Sequence, residues 1–417
     1  MAITRESSKQ PYSFFVLLWL CGICLRVPVL AIPPVLPLLH ASLHLSEADV
    51  GWLSSLPPML LAFAAVPGSL IIARLGLVPA LLIGLLLDAV GAASRGLSGS
   101  LWFLCIATVV MSAGVAIVQT VMPPLVRDRL PERIGSGTAI YTNGLLIGEL
   151  LAVALTVPIV LPMVHDSWRL GLVVWSVPVF VTAMLVSIWL VPKRAALVRP
   201  LGADSVLADP APKRTEQRSI AAWWPNWRNP LIWRLGLMVG CVNAMYFVIN
   251  AFLPDYVIAS GRPDLVSSAL TALNLAQLPA AFLMLPLAQR LFSRPSAYMT
   301  TGFLSFASIV AMLLMRGQWI VFWSGVFGFT DAVTLIMAFA LPSALSVPAD
   351  VPRTTAGMFT ISYSFAMTLS WIVGWLWDLT KAPIVGFVLI ALCGLVIMAM
   401  SSIARHANQP SAVPAAD

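Results

Sequence analysis

Apolar residues fill this chain in twelve blocks, with the polar residues gathered in the gaps between them. About 20 residues at 1.5 Å rise cross a hydrocarbon core of about 30 Å. The pattern therefore predicts helices over 14–38, 49–73, 78–96, 101–126, 135–161, 168–192, 230–255, 266–290, 296–315, 317–345, 353–379 and 382–404. The first block is full length and no small-residue cleavage site in a polar flank follows it, so it is expected to stay as a span. Composition points the same way. At 59% apolar, 10% charged and a mean hydropathy of +0.92 over 417 residues, the chain has too little polar surface for a soluble protein. The expected class is an all-α integral membrane protein with twelve transmembrane helices, its partner surface the lipid bilayer.

Charge then sets an expected orientation. With both termini cytoplasmic, the inner side carries eighteen Lys and Arg residues and the outer side five: Arg95, Arg169, Arg262, Arg316 and Lys381. That is a strong positive-inside bias, so the net charge of +7 reports topology and not nucleic-acid binding. Basic residues are dense over 193–229, beside Pro, Ala and Asp, as suits a cytoplasmic linker. The expected organisation is a six-helix bundle over 1–192, that linker, a second bundle over 230–405 and a cytoplasmic tail over 406–417. Cys21, Cys24, Cys105, Cys241 and Cys393 all fall inside predicted spans and read as packing residues. His40, His44, His165 and His406 lack metal-ligand spacing, and no nucleotide-binding loop or nucleophile elbow is visible. The sequence thus predicts no metal, no cofactor and no enzymatic site.

A weak internal repeat relates the two halves. Leu36-Pro37 returns as Leu253-Pro254, Ala73-Arg74-Leu75 as Gln289-Arg290-Leu291, and Pro124 with Glu132 as Pro342 with Asp350, at offsets of 217, 216 and 218. Three matches in one order imply two pseudo-symmetric six-helix halves of like topology. The offset pairs Arg26 with Asn243, which places the two at matching depth around a midplane site.

Arg26 is the most informative single residue. A lone cation near the centre of a span costs roughly 2.5 to 3.5 kcal/mol on insertion scales, so it is rarely left facing lipid. Three acids, Asp88, Glu149 and Asp331, also lie inside spans and must be paired, hydrated or protonated. Asp88 reads as structural. Glu149 and Asp331 are candidates for carrying a proton, because burial disfavours a carboxylate while a neighbouring guanidinium favours it; a structural ion pair with Arg26 is the competing reading. Asn243, Tyr246 and Asn250 form one stripe in the seventh span, and Thr271, Asn274 and Gln277 another in the eighth. Gln119 with Thr120 and Tyr363 with Trp371 would complete a cavity wall. Prolines 28, 33, 34 and 37, then 57, 58 and 67, predict bent first and second spans.

These residues sit in stretches that resemble the cyanate and nitroimidazole transporter branch of the major facilitator superfamily. The resemblance rests on Leu25-Arg26-Val27-Pro28 with Pro34-Val35-Leu36-Pro37, and on Val121-Met122-Pro123-Pro124-Leu125-Val126 leading to Pro131-Glu132-Arg133. Tyr141-Thr142 with Ala154-Leu155-Thr156-Val157-Pro158, Trp168-Arg169-Leu170 and Phe252-Leu253-Pro254 continue it. So do Asn274-Leu275-Ala276-Gln277-Leu278-Pro279 and Trp377-Asp378-Leu379-Thr380. The likeness implies a major facilitator fold and a monomeric inner-membrane secondary carrier of small molecules, with the branch's first-span arginine at Arg26. Two departures stand out: the loop from Gly68 to Gly76 lacks the superfamily's aspartate, and Asp331 replaces an expected small neutral residue. The leading expectation is transport of a small organic or inorganic anion, such as cyanate or a carboxylate, by alternating access at Arg26, Gln119, Asn243, Tyr246, Asn250, Asn274, Gln277 and Tyr363. The alternative is proton-coupled export of a neutral or cationic compound, such as a nitroimidazole-like drug, through Glu149 and Asp331. A nontransporting receptor on the same fold is a third.

Overall fold

The computed structural model describes residues 12–45, 47–190, 223–380 and 384–408. Most of the expected linker and the end of the expected tail lie outside them. Among the described residues all regular structure is helical. Eleven spans are long and apolar enough to cross a bilayer, and a bent pair supplies a twelfth. In order they are Tyr12–Leu39, the pair Ser55–Phe63 and Ala65–Leu75, Leu77–Arg95, Leu101–Arg129, Ile134–Met163, Trp168–Trp189, Pro230–Ala259, Pro263–Leu291, Pro295–Leu314, Gln318–Leu345, Pro348–Thr380 and Ile384–Ala407. They are numbered spans 1 to 12 below. Each agrees with a hydrophobic block, because a chain in lipid must satisfy its backbone polar groups internally and the helix does so. Large apolar side chains such as Trp102, Ile106, Phe180 and Phe303 stand exposed on the outer face, as lipid contact requires.

Proline decides where the spans break. Its missing N–H leaves the carbonyl four residues earlier without a donor. In span 1 the first helix ends at Cys24, four before Pro28. In span 2 the helix ends at Phe63, four before Pro67, and the axis turns by 47°. In span 8 the helix ends at Leu275, four before Pro279. Span 5 relaxes into a π-helical turn over Thr156–Val160, around Pro158.

The two sides of the molecule are packed differently. An even number of spans brings both ends of the chain to one side, here called the terminus side. There the inner halves of spans 4 and 10 are buried all round, Gly114–Val126 and Thr330–Ala344 without an exposed residue. A helix apolar and buried on every face is enclosed by its neighbours. Across the same region Ser343 Oγ donates to Pro123 O at 2.8 Å, beside the repeat-related Pro342 of span 10 and Pro124 of span 4. Gln289, at the end of span 8, accepts from the backbone N–H groups of Gly135 and Ser136 at 2.8 and 3.3 Å and donates to Glu132 O at 3.1 Å. A Cβ on Gly135 would stand 2.7 Å from the Gln289 Cα, so glycine is what lets the two backbones meet. Residues 223–229, assigned to the linker from sequence, form a tryptophan-rich turn whose Trp223 carbonyl accepts from Ser69 Oγ of span 2 at 2.6 Å. On the opposite side the first half of span 8 and the last turns of span 5 pack little on each other, and the second half of span 11 keeps only Ala366, Leu369 and Val373 buried.

Candidate functional site

Span 1 is unwound where it carries Arg26. Leu25 and Arg26 make tight i→i−3 bonds to Gly22 and Ile23, both at 3.1 Å, and the next helical turn starts only at Val27. The break turns Arg26 inward. Span 5 is brought close by small residues: a Cβ on Gly22 would lie 2.0 Å from Tyr141 O, one on Gly144 2.2 Å from Trp19 O, and one on Gly148 2.6 Å from Ile23 O. Gly144 and Gly148 are a glycine pair at i, i+4, the spacing that lets membrane helices touch backbone to backbone. The next residue is Glu149. Its Oε2 stands 3.9 Å from Arg26 Nε, a loose ion pair with side chains 13% (Arg26) and 19% (Glu149) exposed.

A hydrogen-bonded chain extends from this pair into spans 7 and 8. The Tyr246 hydroxyl bonds Glu149 Oε1 and stands 3.0 Å from Asn274 Oδ1. Asn274 Nδ2 donates to Asn250 Oδ1 at 2.9 Å and to Leu270 O at 3.0 Å. Asn250 Nδ2 donates to Tyr246 O at 2.9 Å, and Gln277 Nε2 reaches Asn274 Oδ1 at 3.3 Å. On the other flank Tyr363 lies beside Arg26 and accepts from Gln119 Nε2 at 2.9 Å. Spans 1, 4, 5, 7, 8 and 11 thus contribute to one polar cluster.

The structure brings together most of the residues read from sequence: Arg26, Gln119, Glu149, Tyr246, Asn250, Asn274, Gln277 and Tyr363. Asn243 is buried next to them but donates to Ser362 Oγ at 2.8 Å. Asp331 is buried in span 10 within electrostatic range of Glu149; its Oδ1 has no hydrogen-bond partner. Three residues of the expected wall do not join it. Thr120 bonds its own helix at Ala116 O and packs on Gly68 of span 2. Trp371 is 71% exposed, and Thr271 is exposed as well. A helical stripe states which residues share a face, not which neighbour that face meets. Arg95 departs from its expected place in an outer loop: it is 1% exposed and donates from Nη1 to Pro28 O at 2.7 Å. The glycine pair 144 and 148, visible in the sequence as a close-packing spacing, is what sets Glu149 against Arg26.

Known proteins share this architecture. The chain is 25% identical to the cyanate transport protein CynX of Escherichia coli over 385 residues, covering 91% of this chain and 94% of that protein. It is 25% identical to the 2-nitroimidazole transporter of Escherichia coli over 337 residues, 80% of each chain. An uncharacterized transporter of Bacillus subtilis, YycB, is 22% identical over 401 residues, with 94% and 93% covered. Among solved structures, the major facilitator transporter FucP in the outward conformation superposes with a TM-score of 0.75 at 14% identity, over 94% of this chain and 98% of that one. The proton:xylose symporter XylE gives 0.69 at 13%, with 94% of each covered. The family profile of the Major Facilitator Superfamily matches residues 18–375, and the chain belongs to that superfamily of membrane transporters.

Proposed function

We propose that this protein carries a small organic or inorganic anion, of the cyanate or carboxylate kind, by alternating access, with Arg26 as the anion-binding group. One observation carries the reading: the Arg26 Nε is buried without a hydrogen-bond partner, and its only ion-pair contact among the described residues is 3.9 Å long. A guanidinium held like that retains donors for a planar or linear anion. Tyr363, Gln119, Tyr246 and the amides of Asn243, Asn250, Asn274 and Gln277 are the proposed polar walls. The relation to a cyanate transport protein supports the substrate class. The bias of Lys and Arg supports an inner-membrane location with cytoplasmic termini, which makes the open side in this state the outward one.

The test is uptake of radiolabelled cyanate, formate and acetate by proteoliposomes. Arg26→Ala is expected to abolish uptake with the protein still inserted and folded, and Arg26→Lys to keep a fraction. Uptake by Arg26→Ala at unchanged affinity would remove Arg26 from the site.

One observation favours a second reading, export of a neutral or cationic compound such as a nitroheterocycle. Glu149 and Asp331 give two carboxyls to one guanidinium, and no salt bridge reaches Asp331 among the described residues. If both acids are ionised the site has a net charge of −1 and repels an anion. Its test is 2-nitroimidazole efflux that survives Arg26→Ala and fails in Asp331→Asn.

A further inference from the structure

The donors and acceptors around Tyr246 do not balance unless the site holds one more proton. A phenol has one O–H and no second donor. The Tyr246 oxygen is within bonding distance of two oxygens, Glu149 Oε1 and Asn274 Oδ1. Turning the Asn274 amide over does not relieve this. Its nitrogen is committed to a backbone carbonyl, Leu270 O, at 3.0 Å and to Asn250 Oδ1 at 2.9 Å. Asn250 is fixed in turn, because its own nitrogen is on Tyr246 O at 2.9 Å. A flip would set oxygen against oxygen at two places and nitrogen against Gln277 Nε2 at a third, now 3.3 Å away. With Glu149 ionised, the Tyr246 proton satisfies one neighbour and leaves a lone-pair contact with the other. With Glu149 protonated, its O–H donates to Tyr246 and Tyr246 donates to Asn274, and each contact holds a hydrogen.

We propose that Glu149 is the proton carrier of this transporter, neutral in the state described, and that its proton is what leaves Arg26 to the anion. The proposal rests on the anion reading above and removes its charge difficulty. The charged and titratable groups facing Glu149 are Arg26 from span 1, Tyr246 from span 7 and Asp331 from span 10, with Tyr363 of span 11 beyond Arg26. Cys24 of span 1 is turned to Thr182 at 3.4 Å. Arg290 of span 8 and Arg127, Asp128 and Arg129 of span 4 are at the terminus-side ends of their helices. The ion-pair contact of 3.9 Å is too long for a hydrogen bond, as suits a guanidinium beside a neutral acid.

The proton balance is simple. On the open side a hydronium gives its proton to Glu149 Oε1 and leaves as water, and the anion takes the donors of Arg26. After the gates exchange, the anion leaves, Arg26 again favours a carboxylate, and the proton passes from Glu149 to water on the terminus side. One proton moves with one monovalent anion and no net charge crosses.

Two measurements separate this from the anion reading. The first needs no substrate: infrared difference spectra of purified wild type against Glu149→Gln at neutral pH. A protonated-carboxyl band present in the wild type and lost in the variant is expected. In a second variant, Tyr246→Phe, that band is expected at higher frequency, since its O–H loses an acceptor. No band lost on Glu149→Gln overturns the proposal, whatever the protein transports. The second measurement imposes an inward cyanate gradient on proteoliposomes and reads internal pH with a trapped dye. Acidification in the wild type and its loss in Glu149→Gln support the coupling. A Glu149 band without cyanate-driven proton entry supports the carrier assignment and counts against the anion reading.

Discussion

At the scale of single residues, the chain holds two buried charge systems with different tasks. Arg26 and Glu149 keep partial exposure and lie among hydrogen-bonding side chains from six spans. Asp88 and Arg95 lie inside the first half of the protein, each 1% exposed, with no salt-bridge contact between them. Both Asp88 oxygens and two Arg95 nitrogens are without partners, while Arg95 Nη1 holds the Pro28 carbonyl. That carbonyl is two residues from Arg26, so Arg95 steadies the unwound turn that carries Arg26. Removing one member of a buried pair costs about 3 to 5 kcal/mol, whereas replacing both is far cheaper. Arg95→Met is therefore expected to lower the unfolding midpoint sharply, and Asp88→Asn with Arg95→Met to recover much of the loss. Additive losses in the double variant, measured by thermal unfolding in detergent, would show that the two charges do not act as a pair. The acid was legible as a buried group in the sequence. Its partner was not, because a residue at a span end looks like a loop residue until its side chain is seen folding back.

At the scale of elements, breaks in the helices place the site. Arg26 follows the break set by Pro28, and Asn274 and Gln277 flank the one set by Pro279. The hydrophobic blocks made all twelve spans legible, and the prolines made the bends in spans 1 and 2 legible too. The exact break points, each four residues before a proline, emerge only in the structure, and in span 8 the polar residues around Pro279 hide the break altogether. What hydropathy does not carry is azimuth: Trp371 and Thr120 shared a plausible face with Tyr363 and Gln119, and the packing turned them elsewhere. Pro28→Ala supplies the N–H that Cys24 O lacks and lets span 1 run on as regular helix. An interior proline costs a helix about 3 kcal/mol, so the variant is expected to be at least as stable as the wild type. Transport is nonetheless expected to fall at least tenfold, because a continuous helix rotates Arg26 away from Glu149. Full uptake by Pro28→Ala would mean that the unwound turn is not needed for function.

At the scale of the whole molecule, the question is what keeps one side shut. In the first half the residue before Arg74 is Ala73, and its repeat mate in the second half is Gln289. Gln289 places its amide on the start of span 5, where the first N–H groups of a helix have no intrahelical acceptor, and takes two of them. The repeat was legible at Arg74 and Arg290, but nothing in it said that the residue before Arg290 reaches across to the other half. These three bonds join the halves only when the terminus side is closed, and a net hydrogen bond contributes about 1 kcal/mol. Gln289→Ala is then expected to move the balance of states toward terminus-side opening by on the order of tenfold or more, given 1.4 kcal/mol per decade. Spin labels at positions 132 and 294, both exposed on the sealed side, would read this as a loss of the short-distance population. The aim of the substitution is the equilibrium and not the binding groups, so the intrinsic affinity of the open site for its solute should stay put while turnover changes. An unaltered distance distribution would assign the seal to the apolar contact of spans 4 and 10 instead, where Ser343 and Pro123 meet at 2.8 Å.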